Sequence, residues 1–331
     1  MFKVPIKKQK KRQIFLPIGI FLAMTVVVSA GLFAWRVFYY SFLGDKFVAY
    51  EIREEQANKK IEENISNYVF NNSSRKVPVT AGSYLISDLN TEEKLIGQNE
   101  NKVYPIASVS KLMTALISLE NYNQEATATV SRFAAKTYGN KNKLKVGTNM
   151  RVGDLLYPLL LESSNASAEV IAEFGGRDIF LQKMNDRAKS LGMLDTHFDD
   201  PSGLSPGNVS KATDLLKLVN YLYQNKKFVF DITKEKKHKI GRLTWNNVNN
   251  LIGMNYYVGG KNGYTDEANR TLVSLFDIPL SKTQNRLVAL VLLSSGDRKK
   301  DTKSLINYIA NYVTYGGKNG FVPSELSLPK T

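Results

Sequence analysis

Ser108 and Lys111 lie three residues apart at the start of an apolar stretch that continues to Glu120. If this stretch is a helix, the spacing places both side chains on one face, one turn apart. Amide N–H groups at a helix N-terminus favour developing negative charge, and a partly desolvated lysine has a lowered pKa. The pair therefore predicts a serine nucleophile activated by a lysine. The alternative is a helix N-cap serine beside a lysine whose ammonium group reaches solvent.

Two further polar motifs follow along the chain. Ser163 and Asn165 interrupt two apolar helical runs, a pattern that by itself is typical of a turn between helices. Residues 259–265 contain Lys261 among glycines, next to a predicted strand. Glycines on a strand let an extended ligand approach the backbone, and the lysine can meet a carboxylate. Alone, the segment also fits a hairpin with a solvated lysine.

The composition removes several other classes of catalyst. The chain has no cysteine, which excludes disulfides, thiolate zinc sites and cysteine nucleophiles. Its only histidines are His197 and His238, so a three-histidine metal centre is impossible and a histidine-based triad is not expected. We predict no metal and no cofactor. The net charge of +15 suits a polyanionic wall or a membrane surface. No arginine-rich, aromatic-interleaved stripe indicates nucleic acid.

The hydrophobic pattern predicts strands at both ends of the folded region, with helices between them. Strands are predicted at residues 83–88, 94–96, 256–258, 270–275 and 286–293. Helices are predicted from residue 108 and at 152–174, 179–191, 213–224 and 302–312. This order indicates an α/β (α+β) domain in which the terminal strands share one sheet.

Residues 14–35 form an uncharged and mainly apolar stretch. As a helix it spans about 33 Å, enough to cross a bilayer core. Cations cluster before it, so the positive-inside rule places the N-terminus in the cytoplasm and the remaining chain outside. A small-residue pattern at 28–30 leaves a cleaved signal peptide as the alternative, but apolar sequence continues to Tyr40. We predict an uncleaved single-pass anchor in the cell membrane and an extracytoplasmic catalytic domain.

The chain divides into five predicted segments. Residues 45–60 are rich in Glu, Lys and Arg and resemble a solvated helical stalk, and residues 71–76 fit a linker. The predicted division is a basic cytoplasmic tail at 1–13, the anchor at 14–35, a stalk and linker at 36–76, the catalytic domain at 77–317 and a C-terminal tail at 318–331.

Ser-x-x-Lys, Ser-x-Asn and Lys-x-Gly, in this order, resemble the signature of the serine-type D-alanyl-D-alanine carboxypeptidases, the low-molecular-mass penicillin-binding proteins. The resemblance covers Gly82 to Tyr312 and includes the segments "SLGMLDTHFDDPSGLS" and "LTWNNVNNLI", which are typical of this family rather than of class A β-lactamases. It implies a β-lactamase/DD-peptidase-like fold, in which an antiparallel sheet flanked by helices lies beside a helical subdomain. The active site is then expected in the groove between them.

The resemblance also implies a role for each motif residue. Ser108 is expected to attack the carbonyl of the penultimate D-alanine of a peptidoglycan stem peptide, with Lys111 as general base. Ser163 is expected to relay a proton to the leaving amine, and Asn165 to hold Lys111 and the substrate backbone. A water molecule then hydrolyses the acyl-enzyme, and penicillins acylate Ser108 as substrate mimics.

The third motif is expected to bind substrate through Lys261, Asn262, Gly263, Tyr264 and Thr265. Lys261 supplies positive charge near the terminal carboxylate, and the backbone N–H groups of Ser108 and Tyr264 form an oxyanion hole. The implied partners are the stem peptide, β-lactam antibiotics as covalent inhibitors and the membrane through the N-terminal helix, with no nucleic acid.

Two positions depart from the family pattern. Asn262 stands where threonine or serine is usual, and Asn269 replaces a glycine. An amide can donate to a carboxylate but is bulkier, so a non-catalytic peptidoglycan-binding protein remains an alternative. A DD-endopeptidase and a β-lactamase of the same fold are the others, although Glu162 and Glu169 do not lie where a β-lactamase glutamate is expected. For Arg298, we favour a solvated basic turn over a second carboxylate contact.

Overall fold

The structure is a computed structural model and describes residues 68–71, 76–139, 143–281 and 284–316. Within those ranges, no helix has the length and apolar character needed to cross a membrane. The predicted basic tail, the anchor at 14–35 and the C-terminal tail at 318–331 lie outside the described residues, as does most of the predicted stalk. Those assignments, and the signal-peptide alternative, stay predictions.

The described strands, in chain order, are β1 (Tyr68–Phe70), β2 (Ser83–Asp88), β3 (Lys94–Gln98), β4 (Tyr104–Pro105), β5 (Thr127–Thr129), β6 (Asn149–Arg151), β7 (Val209–Ser210), β8 (Lys237–Ile240), β9 (Leu243–Asn246), β10 (Tyr257–Thr265), β11 (Asn269–Pro279), β12 (Asn285–Ser295) and β13 (Val313–Tyr315). The α-helices are α1 (Lys111–Asn121), α2 (Arg132–Lys136), α3 (Val152–Leu161), α4 (Asn165–Phe174), α5 (Arg177–Ser190), α6 (Ala212–Asn225), α7 (Phe228–Lys234) and α8 (Arg298–Tyr312). A 3-10 turn at Ala107–Ser110 leads directly into α1.

The main sheet has the order β10-β11-β12-β2-β3, with every neighbouring pair antiparallel. Strands from both ends of the domain therefore share one sheet, which confirms the α/β expectation. β12 is almost wholly buried because helices cover both faces of the sheet. Side chains alternate between the two faces: Leu85 and Val291 enter the core beside α1 and α3 to α6, whereas Ile86 and Leu290 enter the core beside α8.

The folded domain begins earlier than the predicted start at Val77. Tyr68–Phe70 forms β1, which pairs with β13 at the C-terminal end of the domain. The hydroxyl of Tyr68 donates to the buried carboxylate of Asp88, and Arg286 Nε donates to the same carboxylate at 2.7 Å. A three-residue strand is too short to leave a periodic signal in the sequence, so the pattern placed these residues in the stalk.

We expect Tyr68→Phe to lower the free energy of unfolding by about 1–3 kcal/mol, because the change removes a buried hydrogen bond to a charged acceptor. Chemical denaturation of the full chain measures this. Tyr223→Phe is the matched control, since its hydroxyl makes no hydrogen bond within the described part of the chain, and we expect less than about 0.5 kcal/mol. Equal effects of the two substitutions would show that β1 contributes nothing specific.

Candidate active site

Ser108 lies in the 3-10 turn before α1, and its Oγ accepts a hydrogen bond from Lys111 Nζ at 2.9 Å. The preceding residue, Ala107, has a left-handed backbone with φ of 47°. A Cβ on Gly203 would lie 1.9 Å from the Ala107 carbonyl oxygen, so only glycine permits this close approach. Thr271 Oγ1 also donates to the Ile106 carbonyl at 2.9 Å. Two distant segments thus hold the turn that carries Ser108.

Lys111 is completely buried. Besides Ser108, its Nζ donates to Asn165 Oδ1 at 2.7 Å and to the carbonyl oxygen of Ser202. Burial lowers the pKa of Lys111 to about 7, although the negative charges of Asp200 and Glu169 act in the opposite direction. The ammonium group does not reach solvent, which rules out the alternative drawn from the sequence. Near neutral pH, a large fraction of this amine is free to accept a proton.

The second motif lies at a break between two helices. The sequence predicts helical residues over 152–174 that are interrupted at Ser163 and Asn165, and in the structure α3 ends at Leu161 and α4 begins at Asn165. Ser163 has a φ of 59°, a conformation that no α-helix contains. Ser164 Oγ accepts from the Ser167 N–H and caps α4. This cap leaves Ser163 outside both helices and Asn165 in the first turn of α4.

Asn165 connects the nucleophile to its surroundings. Its Oδ1 accepts from Lys111, and its Nδ2 donates to the carbonyl oxygen of Tyr138 at 2.8 Å. These contacts fix which end of the amide faces the lysine. The amide therefore presents an acceptor to Lys111 and keeps its donor end on the neighbouring loop.

The third motif lies on β10, at the edge of the main sheet. Lys261 is completely buried, and its Nζ donates to Ser163 Oγ at 2.8 Å and to the Asn262 carbonyl at 2.6 Å. Burial, with the nearby positive charges of Lys111 and Arg298, holds the pKa of Lys261 well below its usual value. The site therefore contains two serines, each hydrogen-bonded to its own buried lysine.

Gly263 brings β10 against the nucleophile. A Cβ at this position would lie 2.8 Å from the backbone nitrogen of Ser108 and 2.5 Å from Thr271 Oγ1. Any side chain would push the strand away from Ser108. The neighbouring Tyr264 is exposed, and its hydroxyl donates to Asp266 Oδ1 at 2.8 Å. Thr265 Oγ1 accepts from the Ala268 N–H at 3.1 Å and closes the turn after β10.

The two departures from the family pattern have distinct settings. Asn262 is half-buried, and its side-chain amide makes no hydrogen bond with the described residues, so both its donor and its acceptor are available to a ligand. Asn269 has a φ of 53°. This left-handed conformation explains why glycine is usual there, and asparagine is one of the residues that tolerate it.

The expectation of a solvated turn at Arg298 is wrong. Arg298 is half-buried at the start of α8, and its guanidinium donates to the carbonyl oxygens of Gly263 at 3.1 Å and Thr271 at 3.3 Å. Burial lowers the pKa of Arg298. The side chain thus lies against the third motif. Its position after the last strand was the available signal, but the sequence alone could not show that α8 points its N-terminus at β10.

Sequence reasoning also missed the loop that supports Lys111. Asp200 accepts hydrogen bonds from the backbone N–H groups of Ser202 and Gly203 through Oδ1 and of Ser205 through Oδ2, at 2.6, 2.7 and 2.6 Å. Burial raises the pKa of Asp200, but these hydrogen bonds and one from the Ser202 hydroxyl outweigh it and hold the pKa below its usual value. The folded loop aims the Ser202 carbonyl at Lys111. Its only sequence signal is the segment "DPSGLS".

Comparison with known proteins identifies the family of this chain. A family model described as Peptidase S11, D-alanyl-D-alanine carboxypeptidase, matches residues 70–295, which is more than half of the chain. The chain belongs to this family. It is 33% identical over 207 residues to a D-alanyl-D-alanine endopeptidase of Pseudomonas aeruginosa, covering 59% of this chain and 66% of that protein.

Two other relatives broaden the comparison. A D-alanyl-D-alanine carboxypeptidase of Mycobacterium tuberculosis is 32% identical over 209 residues, covering 60% of this chain and 72% of that protein. The crystal structure of penicillin-binding protein D2 of Listeria monocytogenes, in an ampicillin-bound form, has a TM-score of 0.63 and 28% sequence identity, covering 71% of this chain and 99% of that chain. Relatives named as endopeptidase and as carboxypeptidase are thus both similar to this chain.

We expect the reactivity of Ser108 to rise with pH through about 7 and to level off above it. The pKa of Lys111 is lowered to about 7, so the lysine is protonated and unable to accept the serine proton below that pH. The rate of Ser108 phosphonylation by a fluorophosphonate, followed by intact mass from pH 5 to 9, measures the profile. Ser108→Ala should take up no label, and a rise centred near pH 10 would contradict the assignment of Lys111 as a neutral base.

Two matched variants test the origin of this profile. The negative charge of Glu169 raises the pKa of Lys111, so Glu169→Gln should move the rise to lower pH. Glu173 lies on the same helix, accepts from Ser131 Oγ at 3.0 Å and has no part in the pKa of Lys111. Glu173→Gln should therefore leave the profile unchanged, and equal shifts in both variants would point to a general effect of net charge.

Proposed function

We propose that the protein is a serine D-alanyl-D-alanine carboxypeptidase that removes the terminal D-alanine from peptidoglycan stem peptides through an acyl-enzyme on Ser108. The observation that carries the proposal is the pair of buried lysines in one groove. Lys111 is hydrogen-bonded to Ser108 and Lys261 to Ser163. One pair is suited to forming the acyl-enzyme and the other to protonating the leaving group.

Neutral Lys111 has only two N–H groups, which donate to Asn165 and Ser202, so its lone pair accepts from the Ser108 hydroxyl. Acylation begins with transfer of that proton from Ser108 to Lys111. The oxygen of Ser108 then attacks the carbonyl carbon of the penultimate D-alanine, and a tetrahedral oxyanion forms. The backbone N–H groups of Ser108 and Tyr264 stabilise that oxyanion, because Gly263 lets β10 lie directly against the nucleophile turn. Lys111 carries the proton until the C–N bond breaks.

Protonation of the leaving amine completes acylation. Ser163 Oγ accepts a hydrogen bond from Lys261, which leaves the serine hydroxyl hydrogen free to point to the substrate nitrogen. Ser163 donates this proton to the departing D-alanine, and the proton that Lys111 took from Ser108 passes to Ser163, which leaves Lys111 neutral again. Water then attacks the ester carbonyl as Lys111 accepts one of its protons. Lys111 returns this proton to Ser108 Oγ when the ester bond breaks, and the shortened stem peptide is released.

The terminal carboxylate of the substrate is assigned to the end of the groove beside β10. The side-chain amide of Asn262 donates to it, and the positive charge of Arg298 attracts it. Arg298 has a second effect, because it holds the Gly263 carbonyl. That carbonyl belongs to the same planar peptide unit as the Tyr264 N–H, so fixing one group also directs the other.

A DD-endopeptidase is the second candidate. The Pseudomonas aeruginosa relative has this name, and a curated endopeptidase of Escherichia coli is 32% identical over 232 residues. The chemistry at Ser108 is the same for both reactions, and only the group attached to the leaving amine differs. We further propose that the anchor at residues 14–35 holds the catalytic domain on the outer side of the cell membrane, where peptidoglycan lies.

The first test compares the full-length protein, in detergent, with its Ser108→Ala variant. We expect D-alanine release from a pentapeptide ending in D-Ala-D-Ala and covalent labelling by a fluorescent penicillin, both lost in the variant. Labelling with cleavage of cross-linked muropeptide dimers but no D-alanine release would instead establish the endopeptidase. Rapid penicillin turnover would indicate a β-lactamase. Folded protein with none of these activities would indicate a wall-binding protein without catalysis.

A second test concerns carboxylate recognition. We expect Arg298→Gln to lower kcat/KM for the pentapeptide about tenfold more than for its C-terminal carboxamide analogue, because a charge-assisted contact is lost only with the carboxylate. Lys299→Gln removes the same charge from the exposed neighbouring position and should change neither rate by more than about twofold. Equal losses on both peptides would leave Arg298 with the orienting role alone.

A further inference from the structure

Residues 226–242 form the most cationic part of the described chain that the proposed reaction does not use. Seven cations accompany two carboxylates in this segment: Lys226, Lys227, Lys234, Lys236, Lys237, Lys239 and Arg242, with Asp231 and Glu235. Glu235 pairs with His238, and none of the seven cations forms an ion pair with a carboxylate in the part of the chain that the structure describes. Their charge is therefore not neutralised locally.

In the hairpin β8–β9, exposed residues alternate with residues that face inward. Lys237 and Lys239 are exposed and lie opposite Asn246 and Thr244, which are also exposed. The alternate residues turn inward, where Trp245 is buried. The strand period of two thus produces an apolar inner face and a basic outer face.

The basic hairpin, defined here as Lys234, Lys236, Lys237, Lys239 and Arg242, has exposed side chains throughout. Lys237 and Lys239 are two residues apart on one strand face, a separation of about 7 Å. The surface is therefore a group of exposed point charges rather than a shaped pocket.

The hairpin is fixed to the site on its inner side. The N–H of Asn246 donates to Glu162 Oε1 at 2.9 Å, and Glu162 directly precedes Ser163. The ring of His238 stacks on Tyr157 of α3 at 3.6 Å between centroids. The hairpin is thus attached to the element that carries Ser163.

The helix before the hairpin is tied to the third motif. Thr233 Oγ1, on α7, accepts from the Gly260 N–H of β10 at 3.0 Å. A Cβ on Gly259 would lie 2.9 Å from the Phe230 carbonyl oxygen, so α7 and β10 are in close backbone contact. The basic hairpin is therefore held rigidly with respect to both Ser163 and Lys261.

We propose that the basic hairpin binds a linear phosphodiester polymer. Lysine ammonium groups recognise phosphate as point charges, without the planar fork that favours one fixed geometry. A phosphodiester keeps its charge at every physiological pH and repeats it along a flexible chain, which matches a row of exposed lysines. The surface is separate from the reacting groups, so polymer binding can be measured without any peptide substrate.

The experiment measures binding of a fluorescent poly(glycerol phosphate) oligomer to the full-length protein at several salt concentrations. The test variant carries Lys236→Gln, Lys237→Gln and Lys239→Gln. The control variant carries Lys299→Gln, Lys300→Gln and Lys303→Gln, three exposed lysines on α8 with the same total charge change. Both variants retain the basic N-terminal tail, and thermal unfolding by circular dichroism checks that both remain folded.

We expect the hairpin variant to bind at least about tenfold more weakly at low salt, and its slope of log K against log salt to be less steep by about 2, since three phosphate contacts are lost. The α8 variant should stay within about twofold of the unmodified protein. Equal weakening in both variants, or in neither, would overturn the proposal by assigning binding to net charge or to the N-terminal tail. Equally tight binding of poly-L-glutamate through the hairpin would overturn the choice of phosphate.

Discussion

The burial of two lysine side chains in one groove is the constraint on which the rest of the site depends. Lys111 and Lys261 are both completely buried, and neither forms an ion pair within the described residues. An unpaired ammonium group is costly away from water, so desolvation shifts each lysine toward its neutral form. The N–H groups of the two buried amines must therefore donate to neutral oxygen atoms. Separate segments supply them: the nucleophile turn, the break between α3 and α4, the loop at 200–205 and β10 itself.

Bringing those segments together requires close backbone approach. Gly203 and Gly263 contact the nucleophile turn from two sides, and at either position a Cβ would collide with backbone atoms of Ala107 or Ser108. The turn itself holds Ala107 in a left-handed conformation, which costs on the order of 1 kcal/mol in a residue other than glycine. Packing on both sides maintains this strain. The nucleophile is thus fixed by its neighbours rather than by the intrinsic preference of its own segment.

The sequence predicted which residues meet in the site better than it predicted the segments that support them. Ser108 and Lys111 are close in sequence, so their contact follows from local geometry, and the resemblance to the family placed Ser163, Asn165 and Lys261 at the same site. The central strands were also predictable, because long buried strands leave a strong apolar signal. The strand at Tyr68 was not predictable, since these three residues form a strand only by pairing with a segment more than 240 positions away.

The positions that were hardest to predict from the sequence are those whose role depends on the direction in which a helix or loop points. Arg298 follows the last strand of the main sheet, and a basic residue there is usually solvated. Whether it faces water or β10 depends on the angle at which α8 leaves the sheet, and no local pattern encodes that angle. The Asp200 loop presents the same problem, because its carboxylate folds the loop through backbone N–H groups, which every sequence contains.

This arrangement explains how the site can accommodate asparagine at position 262. A threonine or serine at the centre of the motif presents one hydroxyl, whereas the amide of Asn262 presents a donor and an acceptor on a longer side chain. In the proposed mechanism the charge needed for carboxylate recognition comes from Arg298, not from this position. Arg298 also fixes the Gly263 carbonyl, and through the same peptide unit it directs the Tyr264 N–H toward the oxyanion. In that mechanism, electrostatic attraction and oxyanion geometry are both set by groups other than residue 262. Asparagine would then alter the fit of the carboxylate and leave the groups proposed to break the peptide bond in place.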